Sequence, residues 1–109
     1  MRVVVTTVVL CAGFAAAAIA QDANVAKGQQ LFTDQKCTLC HSIGDKGNKK
    51  GPLDSVASRL SADDIRAWIT DAKGMIAKTK PTRKPEMKAF SLPKEDVDAL
   101  VAYLSTLKQ

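Results

Sequence analysis

The chain has 109 residues, a formal net charge of +5, 46% hydrophobic residues and only 5% aromatic ones. That length and composition point to one small domain with a modest core. The basic balance does not make it a nucleic-acid binder, because the sequence offers neither a stacking platform nor a recognition helix.

Met1-Arg2 opens the chain with a positive charge, and residues 3–19 are apolar and rich in Val and Ala. Ala18-Ile19-Ala20 then gives the small-x-small pattern that signal peptidase recognises, and Gln21-Asp22 marks the return to polar sequence. Residues 1–20 are therefore expected to be a cleaved signal peptide, with 21–109 a single domain exported to the periplasm. The alternative is an uncleaved anchor facing the periplasm, since the apolar run is close to the roughly 18 residues of a spanning helix. Cys11 goes with the leader. The Val-Val-Leu before it lacks the small residues expected ahead of a lipidated cysteine.

Asp22 or Asn24 can cap a first helix running to about residue 36, with Val25, Gly28, Leu31 and Phe32 along one face. Next comes Cys37-Thr38-Leu39-Cys40-His41, the spacing of covalent haem attachment. On a short helical turn the two thiols reach the two vinyl groups on one porphyrin edge, and His41 is carried beneath the ring to ligate the iron. A thioredoxin-like dithiol would need βαβ patterning around the pair, and a zinc site about four N/S ligands. This chain has one His and no second cysteine pair. With both remaining thiols committed to haem, an exported chain keeps no structural disulfide. The covalent porphyrin is then the staple such a small core needs, and without it the mature chain is expected to be largely unfolded.

Residues 43–52 read as a loop dense in Gly and Lys, and 53–60 as a short helical turn. Ser61-Ala62-Asp63-Asp64 resembles a capping box. It opens a helix with Ile65, Trp68 and Ile69 at i, i+3 and i+4 that fades at Lys73-Gly74. Residues 75–92 read as one long basic loop broken by Pro81 and Pro85. The last helix begins near Pro93, with Glu95 and Asp96 complementing its dipole and Val97, Leu100, Val101, Leu104 and Leu107 as its apolar stripe. No strand pattern stands out, and after residue 20 nothing is apolar enough to span a membrane.

The whole resembles the small single-haem class I c-type cytochromes over nearly all of residues 21–109. Gly28-Gln29-Gln30-Leu31-Phe32 is similar to that family's G-x-x-x-F on the first helix, and Leu100-Val101-Ala102-Tyr103 to its L-x-x-Y on the last. The resemblance implies an all-α cytochrome c fold, three to four short helices around one haem c held through Cys37 and Cys40. The two helices would cross at Gly28, with Phe32 and Tyr103 packed there. Gly51-Pro52-Leu53 resembles the segment whose proline carbonyl accepts a hydrogen bond from the free ring N–H of the axial histidine. Met87-Lys88-Ala89-Phe90 is similar to the family's M-P-x-F, with Lys88 in place of proline. That makes His41 and Met87 the axial ligands, while Met75 fills the core. Trp68 would pack on the haem or reach a propionate, plain core packing being the alternative.

The function implied is electron transfer by an iron cycling between ferric and ferrous states, not enzymatic turnover. A neutral thioether ligand favours the ferrous iron, and a filled sixth site excludes oxygen and peroxide. Lysines at 46, 49, 50, 73, 78, 80, 84 and 88, with Arg83, would form a collar that steers a monomer to an acidic surface on a redox partner. A solvated loop is the plainer reading of those charges. Two other functions stay open: a cytochrome subunit of a larger oxidoreductase, and a haem sensor or enzyme with a labile sixth ligand.

Overall fold

The computed structural model describes residues 13–109, with side chains from Gln21 onward. The positively charged start of the expected leader, and most of its apolar run, lie outside the described residues. The described residues form five α-helices and a minimal hairpin: α1 (Gly13–Asp34), β1 (Ser42–Ile43), β2 (Lys46–Gly47), α2 (Val56–Arg59), α3 (Ala62–Thr70), α4 (Ala72–Thr79) and α5 (Lys94–Leu104). The fold is thus mostly helical, as expected, but with five helices rather than three or four.

α1 and α5 cross at Gly28, which is buried. A Cβ there would collide with the Ala99 carbonyl oxygen and lie 2.6 Å from the Tyr103 Cβ, so only a hydrogen at this position permits the approach. One turn on, the Phe32 and Tyr103 rings meet edge to face, with centroids 6.1 Å apart and planes at 71°. Val97, Leu100, Val101 and Leu104 bury the face of α5, and Ile65 and Ile69 bring α3 onto it. Val56 of α2 completes the cluster, and the Ala57 N–H donates to the Leu107 carbonyl at 3.0 Å, holding the end of the chain against α2.

Helix ends follow local chemistry. Ser61 caps α3 in a reciprocal box, its hydroxyl accepting from the Asp64 N–H while the Asp64 carboxylate accepts from the Ser61 N–H. Pro93 precedes α5, and Glu95 and Asp96 occupy its first turn.

Four expectations are corrected. α1 does not start at a cap near Asp22 or Asn24. Asp22 and Asn24 are interior positions of a helix already running at Gly13, the first described residue, because the alanines around them have the highest helix propensity. The 75–92 loop is shorter than expected, because Asp71 begins a second helix by accepting from the Gly74 N–H, so Gly74 lies within α4 instead of ending a helix. Residues 43–52 are not all loop. Gly44, at φ +60°, takes the first central position of a two-residue turn that pairs Ile43 with Lys46. The helix count rises for the same reason that α4 exists. Among the described residues, no helix is long and apolar enough to cross a membrane.

Candidate functional site

The stretch from α1 to the hairpin builds a tight platform. Lys36 takes a left-handed conformation, φ 59°, that turns the chain out of α1 and into a single 3-10 turn, Cys37–Leu39. The Cys37 carbonyl then accepts from both the Cys40 N–H (3.2 Å) and the His41 N–H (2.9 Å). This compact turn brings both cysteines and the histidine to one short arc. Cys37 and Cys40 are free thiols, the first half-buried and the second exposed. Burial pushes the Cys37 thiol up to about 11, with the Cys40 sulfur adding to the rise against a backbone hydrogen bond, so it is a protonated thiol at neutral pH.

His41 is half-buried, and its Nδ1 lies 3.0 Å from the Gly51 carbonyl oxygen. A carbonyl only accepts, so Nδ1 carries the proton and Nε2 the lone pair. Burial holds the imidazole below its ordinary pKa; the Gly51 carbonyl opposes that shift and the Arg83 charge adds to it. The ring is therefore neutral at pH 7, its tautomer fixed and Nε2 without a hydrogen-bond partner among the described residues.

The accepting carbonyl is Gly51's, not Pro52's as the resemblance implied. Ser42 and Pro52 form a parallel bridge in which the Ser42 N–H donates to Gly51 at 3.1 Å and the Leu53 N–H donates to Ser42 at 2.9 Å. Such a bridge uses the groups flanking residue 52 and needs no N–H from it, so a proline fits there. The Gly51 carbonyl is left serving both the Ser42 N–H and the imidazole. Pro52 itself is exposed, and its carbonyl is not the ring's acceptor.

Asn48 is a residue that the sequence reading missed. Its N–H lies 3.0 Å from both the Thr38 and the His41 carbonyls, its side-chain amide donates to the Leu39 carbonyl at 3.1 Å, and its Oδ1 accepts from the Lys50 N–H. One side chain thus laces the 46–51 loop to the Cys-containing turn. The signal was the Asn in a Gly-rich stretch, since Asn side chains close such turns by bonding two residues on.

Segment 80–93 closes over the same region from the other end of the chain. Arg83 Nη2 donates to the Cys40 carbonyl, and its guanidinium lies against Gly51, where a Cβ would strike it. Seven residues later the Phe90 N–H donates to the Ile69 carbonyl at 2.8 Å, fixing the segment to the end of α3 beside Trp68. Met87 lies between these two anchors and is half-buried, as is Trp68, which stands outside the main core cluster. Met75, by contrast, is buried on α4 at 8% exposure. Leu39, 70% exposed, puts an apolar side chain on the surface of the Cys-containing turn. The two basic stretches of the sequence adjoin where Arg83 meets Gly51.

These groups fit a covalently held haem. Two free thiols and a neutral imidazole with an uncommitted Nε2 share one turn, and a thioether is held on the segment anchored to that turn. Among the described residues, no group of three or more His, Cys, Asp or Glu side chains comes together as a zinc site would require.

Comparison with known proteins agrees with this chemistry. A family model described as Cytochrome c matches residues 25–108. The protein named cytochrome c oxidase subunit 2 from Alkalihalophilus pseudofirmus is 31% identical over 91 residues, a match that covers 75% of this chain and 25% of that protein. The chain thus spans about a quarter of the length of this curated relative. No solved structure matches the chain.

Proposed function

The chain belongs to the cytochrome c family, whose domains carry haem and pass electrons to redox partners, and on that premise we propose that it is a periplasmic single-haem electron carrier with His41 and Met87 as axial ligands. The observation that carries the reading is the His41 ring, neutral and oriented by the Gly51 carbonyl with Nε2 free for iron. Haem, when bound, supplies an iron that accepts and donates one electron. The chain's own residues do the rest. Cys37 and Cys40, both free thiols, would hold the cofactor's edge to the turn as thioethers. Through the donation of its Nδ1–H to Gly51, His41 becomes a better donor at Nε2. Met87 would offer the iron a soft, neutral sulfur, which would raise the potential and bar small ligands. Trp68 and Phe90, both half-buried on the segments that meet at Ile69, would supply apolar cover for the porphyrin and keep water from it.

Export through residues 1–20 supplies the compartment in which this chemistry is assembled. Exposed lysines on the 46–50 and 80–88 stretches support docking on an acidic partner surface. Mass spectrometry of the exported chain tests the attachment. It should show the leader removed and one haem added, and Cys37→Ala with Cys40→Ala should lose the haem. An unmodified dithiol in the wild type would contradict the proposal.

A second reading, a cytochrome subunit within a larger oxidoreductase, is favoured by the likeness to a quarter of an oxidase subunit and by the exposed Leu39 at the Cys-containing turn. Co-purification of the native protein with a membrane complex at high salt would select it over a free shuttle.

A further inference from the structure

Arg83 differs from its charged neighbours. Lys80, Lys84 and Lys88 are exposed, and Lys84 is paired only with nearby Glu86. Arg83 is half-buried and spends its guanidinium on a backbone carbonyl 43 residues away, that of Cys40, which immediately precedes His41. It also lies on Gly51, and a Cβ at that position would collide with both the guanidinium and the Cys40 carbonyl oxygen. The same glycine's carbonyl orients His41. One side chain therefore joins three things: segment 80–93, the Cys-containing turn and the histidine's hydrogen-bond acceptor.

A lysine cannot replace this. The planar guanidinium presents several donors in a fixed fork and packs flat on a glycine, whereas an ammonium is a strongly hydrated point charge on a flexible stem. Segment 80–93 has one other anchor of this kind, the Phe90 N–H on Ile69, and Met87 sits between the two. Removing the first anchor leaves Met87 held from one side only.

Resting on the axial pairing proposed above, we propose that Arg83 is a positioning residue: it ties the Met87 segment to the Cys-containing turn, keeping the thioether engaged, and it sets a fixed positive charge beside His41 that favours the ferrous iron. The two roles separate by substitution. Arg83→Gln removes both the clamp and the charge; Arg83→Lys keeps the charge and loses the fork.

The test uses the haem-loaded full chain, with Met87→Ala as the reference for an open sixth site. The readouts are the ferric sulfur-to-iron absorption, the rate of carbon monoxide association with the ferrous protein, the reduction potential, and hydrogen exchange across residues 84–90. A charge-assisted hydrogen bond is strong enough that its loss should raise carbon monoxide association roughly ten- to a hundredfold in Arg83→Gln. The same variant should have a lower potential and faster exchange in the segment. Arg83→Lys should recover most of the potential while keeping the raised association rate, a separation that a merely structural role would not produce. If Arg83→Gln does not load haem, the raised rate in Arg83→Lys carries the test. A wild type with the sulfur band, and variants that match it in both rate and potential, would overturn this inference alone. A wild type without the band would overturn the axial pairing and the inference with it.

Discussion

Gly28→Ala sets two well-characterised effects against each other at one position. Gly28 lies in the middle of α1, where alanine is worth about 1 kcal/mol in helix propensity. On that ground alone the substitution stabilises. The added methyl, however, would collide with the Ala99 carbonyl oxygen and come within 2.6 Å of the Tyr103 Cβ and 2.7 Å of the Ala99 carbonyl carbon. None of these atoms is the end of a flexible side chain, so the strain cannot be relieved by a rotamer change. α1 and α5 must move apart, and a radial gap of about 0.5–1 Å forfeits a quarter to a half of each dispersion contact across it. Those contacts include the Phe32–Tyr103 edge-to-face pair. Overpacking of this kind costs about 1–3 kcal/mol, and against rigid backbone the upper part of that range applies. The net expectation is a loss of about 1–2 kcal/mol, or a fall in Tm of roughly 4–16 °C for a domain of this size. Thermal melts of the haem-loaded protein measure it, with Ala26→Gly as the control. Ala26 is exposed on the same helix, so its change reports propensity without a clash. A Gly28→Ala protein that melts at or above the wild-type temperature would refute the close-crossing argument.

Three further outcomes follow from the same structure. Asn48→Ala loses its side-chain bonds to the Leu39 carbonyl and the Lys50 N–H, and denaturant titration should find the protein less stable by about 1–2 kcal/mol with the haem spectrum retained. Ser61→Ala removes the α3 cap and should cost about 1 kcal/mol, concentrated in faster hydrogen exchange at residues 62–65. The Asp98 carboxyl is held below its ordinary pKa by hydrogen bonds from Lys94 and then Arg66. Its folded pKa being the lower one, its contribution is present above the ordinary carboxylate value of about 4 and lost as pH falls through the folded value. Asp98→Asn should therefore flatten the acid limb of the stability curve at low salt, and a limb of unchanged slope would remove Asp98 from the account.

How far the sequence could be read depended on whether a feature is local or made by distant parts of the chain. α5 was legible because Val97, Leu100, Val101 and Leu104 repeat at helical spacing and all four are buried. Ser61 and Asp64 announced the start of α3 within four residues. The α1–α5 crossing came from the family resemblance, and the structure gives its reason in the space a Cβ would need at Gly28. α4 was hidden because Gly74 looks like a stop, and only the Asp71 side chain bonding its N–H turns it into a start. The hairpin was hidden because two-residue strands carry no periodicity. At the site, the Cys and His positions follow from spacing. The choice of Gly51 over Pro52 as acceptor depends on the direction of one parallel bridge, which no residue pattern reports. Arg83 looked like one charge among many until a contact across 43 residues distinguished it.

The most direct test of the account is the absorption spectrum of the exported, haem-loaded protein in its ferric form, and in its ferrous form under carbon monoxide, beside that of Met87→Ala. Ligation by His41 and Met87 predicts a sulfur-to-iron band that vanishes in the variant, and a ferrous wild type that leaves carbon monoxide unbound. A wild type without that band, binding carbon monoxide readily, would contradict the Met87 assignment and turn the account from electron transfer towards ligand sensing or catalysis.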